Sequence, residues 1–547
     1  MKVGNVNGFT INGDKSVLPG LFGLENAING DDERNADMEP FVHDVCICGA
    51  GPGGLLLATQ LANQGLSCAV VDPALDRPWP NNYGVWMDEA EHFGFDECCD
   101  VVWKEVGVIF DEKTDELVLN RPYGRVDRKK LKARLLQECC EATGEVAFGV
   151  AKAVDVQHFD DQPSQVTIKQ CGDDAERVPA QKIHALLVVD ATGFSRKFVK
   201  HDVEFNPGYQ VTYGARFRVK DLGPYQRNRL VLMDYSEQHL HDDPELVKSN
   251  DRFPSFLYAM PLADDELFLE ETILVSRPGG SSKNLEKRLY KRMESLGITA
   301  EAVLEDERAA IPMGGADPIM PQRTLGFGAT ASFVHPASGY MVARAMEMAP
   351  LVAQAVAPAL KDVRQKLEKD GKQLEKQDFD NLAKVGWQAV WPVDERRQRA
   401  FMDFGFELLC LLRPQELRDF FTGFFRLPLA MWEHFLSWRL SGIGHVFMGL
   451  TVWATCIPRR FMPSMLIKSL PFIPKHLVQP FFTILTDSEG TDSIYFDSQT
   501  KNASLWEPDN FNAYVKNLSQ MEYDSQVKGK SRAATPAAEK AKEVVEI

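Results

Sequence analysis

Between Val45 and Asp72 the chain passes from strand to glycine turn to helix to strand with almost no slack. Val45-Cys46-Ile47-Cys48 is a short apolar strand, followed directly by Gly49-Ala50-Gly51-Pro52-Gly53-Gly54. Gly49, Gly51 and Gly54 stand in the G-x-G-x-x-G spacing. One glycine permits the tight turn, the next lets backbone N–H groups reach a pyrophosphate, and the third lets helix and strand pack closely. Apolar residues from Leu55 to Leu66 predict the helix, Gly65 its stop, and Ala69-Val70-Val71 a second strand. Asp72 ends that strand where a carboxylate meets a ribose 2′-hydroxyl. The glycine spacing alone is a weak signal. With both strands, the helix and the acid in register, it predicts a dinucleotide-binding βαβ unit and an α/β fold.

The chain's 547 residues are enough for a large core and for more than one structural unit. Residues 1–42 read as a poorly structured leader and 43–360 as the nucleotide domain, with an antiparallel sheet inserted at about 206–308. A charged linker, 361–380, leads to a helical module at 381–485. The tail, 486–547, lacks core-forming residues and is expected to be disordered from about 528. Lys and Arg total 61 against 78 Asp and Glu, a net charge of −17, which argues against nucleic acid as a partner. The ten cysteines form no C-x-x-C pair and fit neither a zinc site nor a disulfide framework, so they read as reduced and the metal expectation is none. Acids at Asp31, Asp32 and Glu33, and the lack of an apolar run, make the leader unlike a secretory signal or a transit peptide.

Downstream, Leu186 to Asp190 is a continuous apolar strand that breaks into Ala191-Thr192-Gly193, the grammar of a loop at the carboxyl edge of a parallel sheet. Strand alternation dominates from Asn206 to Arg308 and predicts an antiparallel substrate cover. A second Gly-rich turn (Gly326, Gly328) and His335-Pro336-Ala337-Ser338-Gly339-Tyr340 then feed an apolar helix, a second place for a phosphate or a flavin edge. The C-terminal module is loaded with Phe and Trp. Its Leu440–Ile457 stretch is at the short limit for a membrane span and reads better as a buried or interface-lying helix. Residues 430–485 interleave Pro, Lys and large apolar side chains, which suits contact with a membrane surface.

Taken together, these segments resemble the plant and algal lycopene cyclases. The resemblance rests on the glycine turn, Trp79-Pro80-Asn81-Asn82-Tyr83-Gly84-Val85-Trp86, Arg121-Pro122-Tyr123-Gly124-Arg125-Val126 and Asp190-Ala191-Thr192-Gly193-Phe194-Ser195-Arg196. It continues through Phe268-Leu269-Glu270-Glu271-Thr272, Ile311-Pro312-Met313-Gly314-Gly315 and His335 to Arg344. It implies a Rossmann-type FAD-binding domain of the glutathione-reductase kind with an interleaved antiparallel substrate domain. The implied reaction is a non-redox cyclisation of the ψ-ends of lycopene to β-ionone rings, giving γ- and then β-carotene. Reduced FAD would be the cofactor, NADPH the reductant, and the plastid membrane the setting. Implied cofactor positions are Gly49 to Gly54, Asp72, Arg125, Asp190, Gly193, Gly328, Gly339 and Tyr340. Two features depart from expectation: Gly328 is followed by Ala329-Thr330 where many FAD enzymes carry an acid, and the leader lacks transit composition.

Cyclising a polyene end requires an acid that protonates an alkene carbon. Leu267 to Val275 carries two candidates, and alternation puts Glu271 with Leu267, Leu269, Ile273 and Val275, and Glu270 with Phe268, Thr272 and Leu274. Desolvation on the all-aliphatic face predicts Glu271 as the protonated donor and Glu270 as its paired carboxylate. Trp86 and Tyr258 are expected in the substrate pocket, offering cation–π support. The same grammar fits an ε-cyclase, a capsanthin/capsorubin or neoxanthin synthase, an FAD monooxygenase or polyprenyl reductase. A non-catalytic carotenoid- or membrane-binding protein is the remaining class.

Overall fold

The computed structural model describes residues 41–480, apart from 172–178, 204–205, 370–373, 457 and 460. The leader to residue 40 and the tail from 481, with its expected disorder, lie outside the described residues.

A nucleotide sheet and a cover sheet organise the chain. In the first, strands Val146–Gly149, Cys68–Val71, Val42–Cys48 and Gln181–Asp190 run parallel in that spatial order. The far side of Gln181–Asp190 is shared: its first half pairs antiparallel with Ser164–Gln170, its second half parallel with Thr324–Gly326. Both faces are covered, which is why these strands are continuous apolar runs rather than alternating ones. Val45, Cys46, Ile47 and Cys48 are fully buried. Helix Pro52–Asn63 packs on one face beside the long helix Val342–Lys369. The other face is sealed by small side chains, Cys46, Cys48, Ala69, Ala147 and Ala185 among them. Every cysteine whose side chain is described is free.

The cover sheet has seven strands in the order Ala300–Met313, Gly208–Val219, Glu266–Ser276, Ser255–Ala263, Arg229–Asp234, Glu105–Ile109 and Leu117–Leu119. Two of its strands thus come from upstream of the 206–308 stretch. One face packs Val211, Leu257, Leu269 and Ile273 against helix Ser282–Ser295, which presents Leu285, Leu289 and Met293. The opposite face looks back at the nucleotide sheet.

Among the described residues six α-helices follow, from Lys376–Val390 to Met462–Ser469. Prolines Pro392, Pro414, Pro428 and Pro463 stand at their starts, where the missing N–H costs nothing, and keep each one short. Among the described residues no helix is long and apolar enough to cross a membrane.

Candidate active site

One cavity of about 810 Å³ runs from the glycine turn, past the inward face of the cover sheet, to the C-terminal helices. At the nucleotide end Gly49 has φ +113°, and a Cβ there would lie 2.3 Å from the Ala191 carbonyl oxygen. A Cβ at Gly54 would lie 2.0 Å from the Gly49 carbonyl oxygen. Those two glycines close the turn. At Gly51 a Cβ would meet nothing within 4 Å, so the space beside it is open. Helix Pro52–Asn63 has no acid in its first turn, which leaves its positive end to an anion. The turn therefore fits a dinucleotide pyrophosphate. Asp72 lines the cavity too, while its carboxylate accepts from Ala50 N at 2.7 Å and Ala74 N at 2.7 Å, holding the turn in shape. Gly193, Gly328, Gly339 and Tyr340 complete this end; the three glycines have φ of +69°, +68° and +75°.

In the middle of the cavity stands Glu270. Thr272 Oγ1 donates to its Oε1 at 2.7 Å, and burial pushes its carboxyl up to about 7 against the pull of the Thr272 and Thr212 hydroxyls. Tyr258, directly opposite on the neighbouring strand, shares the cavity wall with Tyr123 and Tyr340, whose ring centres lie 6.3 Å apart. Trp86 also lines the wall, with the Arg121 guanidinium 4.5 Å from the centre of its ring.

Glu271 is elsewhere. It points to the helix side of the sheet, fully buried, where Arg292 Nε donates at 2.9 Å and Arg292 Nη2 at 3.1 Å. Ser255 Oγ adds a bond at 2.6 Å, and Arg288 in turn holds Ser255 at 2.8 Å. Burial alone would raise its carboxyl, but Arg292, His239 and Ser255 more than offset that and hold it below the usual range. The alternation placed the two acids on the faces expected and failed only at Val275, which packs with Phe268 and Leu274 beyond an irregularity in the strand pairing, while the expected electrostatics of the two faces is reversed. The aliphatic face is covered by a helix carrying two buried arginines, which favour the ionised form of its acid; burial on the cavity face favours the neutral form of the other.

The family model described as "Lycopene cyclase protein" matches residues 44–460. The chain belongs to the lycopene cyclase family. It is 39% identical over 448 residues to a pepper (Capsicum annuum) protein named lycopene beta cyclase, covering 82% of this chain and 84% of that one. Identity to an Arabidopsis thaliana protein of the same name is 41% over 454 residues, covering 80% and 85%. A tomato (Solanum lycopersicum) neoxanthin synthase is 42% identical over 399 residues, covering 73% and 75%. Among solved structures, a geranylgeranyl bacteriochlorophyll reductase-like protein from Thermoplasma acidophilum superposes with a TM-score of 0.53 at 13% identity, over 82% of this chain and 99% of that one. That likeness shows the fold.

Two residues expected at the cofactor in this cyclase-family chain are not brought there. Arg125 is captured at the rim by Asp100 on the adjacent strand, Nε donating at 2.9 Å, and does not reach the cavity. Asp190 is fully buried, and its oxygens accept from Thr192 N at 3.0 Å and Phe198 N at 2.7 Å, so it braces the Ala191–Gly193 loop rather than facing a ligand. Conversely, the cavity gains Glu307 and Glu89, which the sequence reading does not name, and Tyr123, which it names only within a matching motif. Glu89 is pushed up to about 7 by burial, against the pull of Arg121. The signal available for Glu271's ion pair was the spacing of Arg288 and Arg292 on the same helical face as Leu285 and Leu289.

Proposed function

We propose that the protein is a lycopene β-cyclase that uses reduced FAD and cyclises ψ-end groups by acid catalysis without net redox change. The observation that carries this reading is Glu270, a carboxyl held near neutrality inside a largely apolar cavity continuous with the glycine turn. Family membership and relatives named lycopene beta cyclase at about 40% identity support the same assignment.

Glu270, protonated, donates to the terminal alkene. The polyene's own π electrons then close the ring and leave a cation on the neighbouring carbon. Tyr258 stands opposite the acid and Tyr123 on the same cavity wall, and both offer aromatic faces to that charge, while the surrounding Phe side chains exclude the water that would quench it. Gly51, Gly53 and Gly54 would hold the FAD pyrophosphate at the helix start, with Asp72, Gly328 and Gly339 beside them. When bound, reduced FAD supplies an electron-rich ring that favours a cation electrostatically. NADPH is the reductant we assign to keep it reduced.

The far end of the cavity is walled by Leu450, Trp453 and Leu466. Nearby Ile443, Phe447 and Ile467 are 76%, 63% and 68% exposed, an apolar surface at the cavity's helical end. This supports a shallow membrane contact through which a lipid-dissolved carotenoid enters. Chloroplastic names among the relatives support a plastid setting. The 42% identity to a neoxanthin synthase supports a sister activity as the second reading. Pigment analysis after expression in lycopene-accumulating bacteria tests both. β-Carotene is the expected product, and unchanged lycopene overturns the cyclase reading. A monooxygenase would instead consume NADPH and oxygen in step with product.

A further inference from the structure

The cavity face of the cover sheet carries a second acid that the reading above leaves unused. Gly214, on the strand Gly208–Val219, pairs directly with Glu270 on one side and with Glu307 on the other. Directly opposed residues point to the same face, so Glu307, Gly214, Glu270 and Tyr258 form one row across four strands. Both acids and Tyr258 line the cavity. Two strand spacings put the backbones of the acids about 10 Å apart. The glycine between them carries no side chain, and its space is shared by the Phe268 ring and Glu270: a Cβ at Gly214 would lie 2.7 Å from Phe268 Cζ and 3.2 Å from both Cβ and Cγ of Glu270. From the other side, Asn82 Nδ2 donates to Glu307 Oε2 at 2.7 Å, fixing the second carboxyl from the aromatic loop beside the glycine turn.

Resting on the cyclase reading, we propose that Glu307 is the proton acceptor of the cyclisation, taking the proton lost from the new ring and returning it to Glu270. The Glu270 O–H bond breaks as a C–H bond forms on the terminal alkene carbon. A π pair becomes the ring C–C bond and leaves a cation on the adjacent carbon. The neighbouring ring C–H then breaks, its electron pair becomes the ring double bond, and its proton goes to the Glu307 carboxylate. Transfer from Glu307 to Glu270 restores the start, so atoms and electrons balance with no oxidant or reductant. Burial and the nearby Glu270 push the Glu307 carboxyl up to about 8, against the Asn82 bond and Arg128, while Glu270 stands at about 7. Burial thus raises both carboxyls into one range, closely enough matched for a proton to pass between them.

The test compares full-length wild type, Glu307→Gln, Glu307→Asp and Glu270→Gln in lycopene-accumulating bacteria, reading pigments and the flavin content of each purified protein. With its donor intact and its acceptor gone, Glu307→Gln is expected to keep flavin, to form β-ionone ends about 10²-fold more slowly, and to divert cations into rings with a displaced double bond or a hydroxyl from water. Glu270→Gln should leave lycopene untouched and yield none of these diverted products. Glu307→Asp should recover part of the β-ionone output. Wild-type output from Glu307→Gln, or untouched lycopene without diverted products while flavin is retained, overturns the assignment. Should Glu307→Gln fail to accumulate, β-ionone ends alone at wild-type rate from Glu307→Asp overturn it instead. Lycopene left unchanged by the wild type overturns the cyclase reading and this inference together, whereas a silent Glu307 variant beside an active wild type overturns this inference alone.

Discussion

Glu270 and Glu271 are adjacent in the chain and opposite in chemistry, and variants of each should fail differently. Glu270→Gln keeps the shape but cannot donate a proton, so turnover should fall by roughly 10²–10⁴-fold with flavin still bound, as measured on reconstituted enzyme. Near-normal turnover would remove Glu270 from the role. Because its carboxyl stands near 7, raised from the ordinary value, the active protonated form is lost as pH rises. The reactive pair, one proton shared between Glu270 and Glu307, is lost once pH passes both values, so turnover should decline above about pH 8. Glu271 has the reverse sign. Its carboxyl is held low by Arg292, so its contribution to stability is present above the ordinary carboxylate range and is lost as pH falls through the lowered value. Removing Arg292 strands a fully buried carboxylate. Arg292→Leu should cost about 3–5 kcal/mol in denaturant unfolding, with an intact cavity in whatever protein remains folded.

Among the elements, the glycine turn offers a clean separation of binding from folding. Gly51 has an ordinary φ of −66° and open space around its missing Cβ, so valine there should fold normally while filling the room a phosphate needs. A Gly51→Val protein that unfolds like wild type but purifies colourless is the expected outcome. Full yellow flavin would show the pyrophosphate lies elsewhere. Gly54→Val is the contrast: its side chain meets the Gly49 carbonyl oxygen, so the helix cannot seat against the strand and stability itself should fall.

For the whole molecule, the position of the C-terminal helices matters more than their number. They close the cavity with aromatic side chains and carry the exposed apolar residues at its outer end. Replacing Ile443, Phe447 and Ile467 together by serine leaves the core untouched, because all three are largely exposed. Flotation with liposomes of plastid-like composition should drop sharply, each side chain removing up to about 1.5–3 kcal/mol of transfer free energy. Unchanged flotation would move the membrane contact elsewhere on the surface.

The βαβ unit was legible because each of its signals is local. Glycine spacing, apolar runs and a terminal acid act within thirty or so residues, and backbone sterics leave few alternatives. Strand periodicity likewise separated the faces of Glu270 and Glu271, since side-chain direction follows from the pleat alone. The electrostatic identity of those faces was decided only by tertiary contact. Arg288 and Arg292 arrive on a helix that follows the strand, and they turn a desolvated carboxyl into an ion pair. Asp100 draws Arg125 away, and the loop after Asp190 folds back onto its carboxylate. Glu307 lies 37 residues beyond Glu270 in the sequence, and only strand pairing through Gly214 sets the two acids in one row. Local sequence fixes which way a side chain points, but its protonation depends on charges and solvent exclusion supplied by distant segments, and those exist only once the chain has folded.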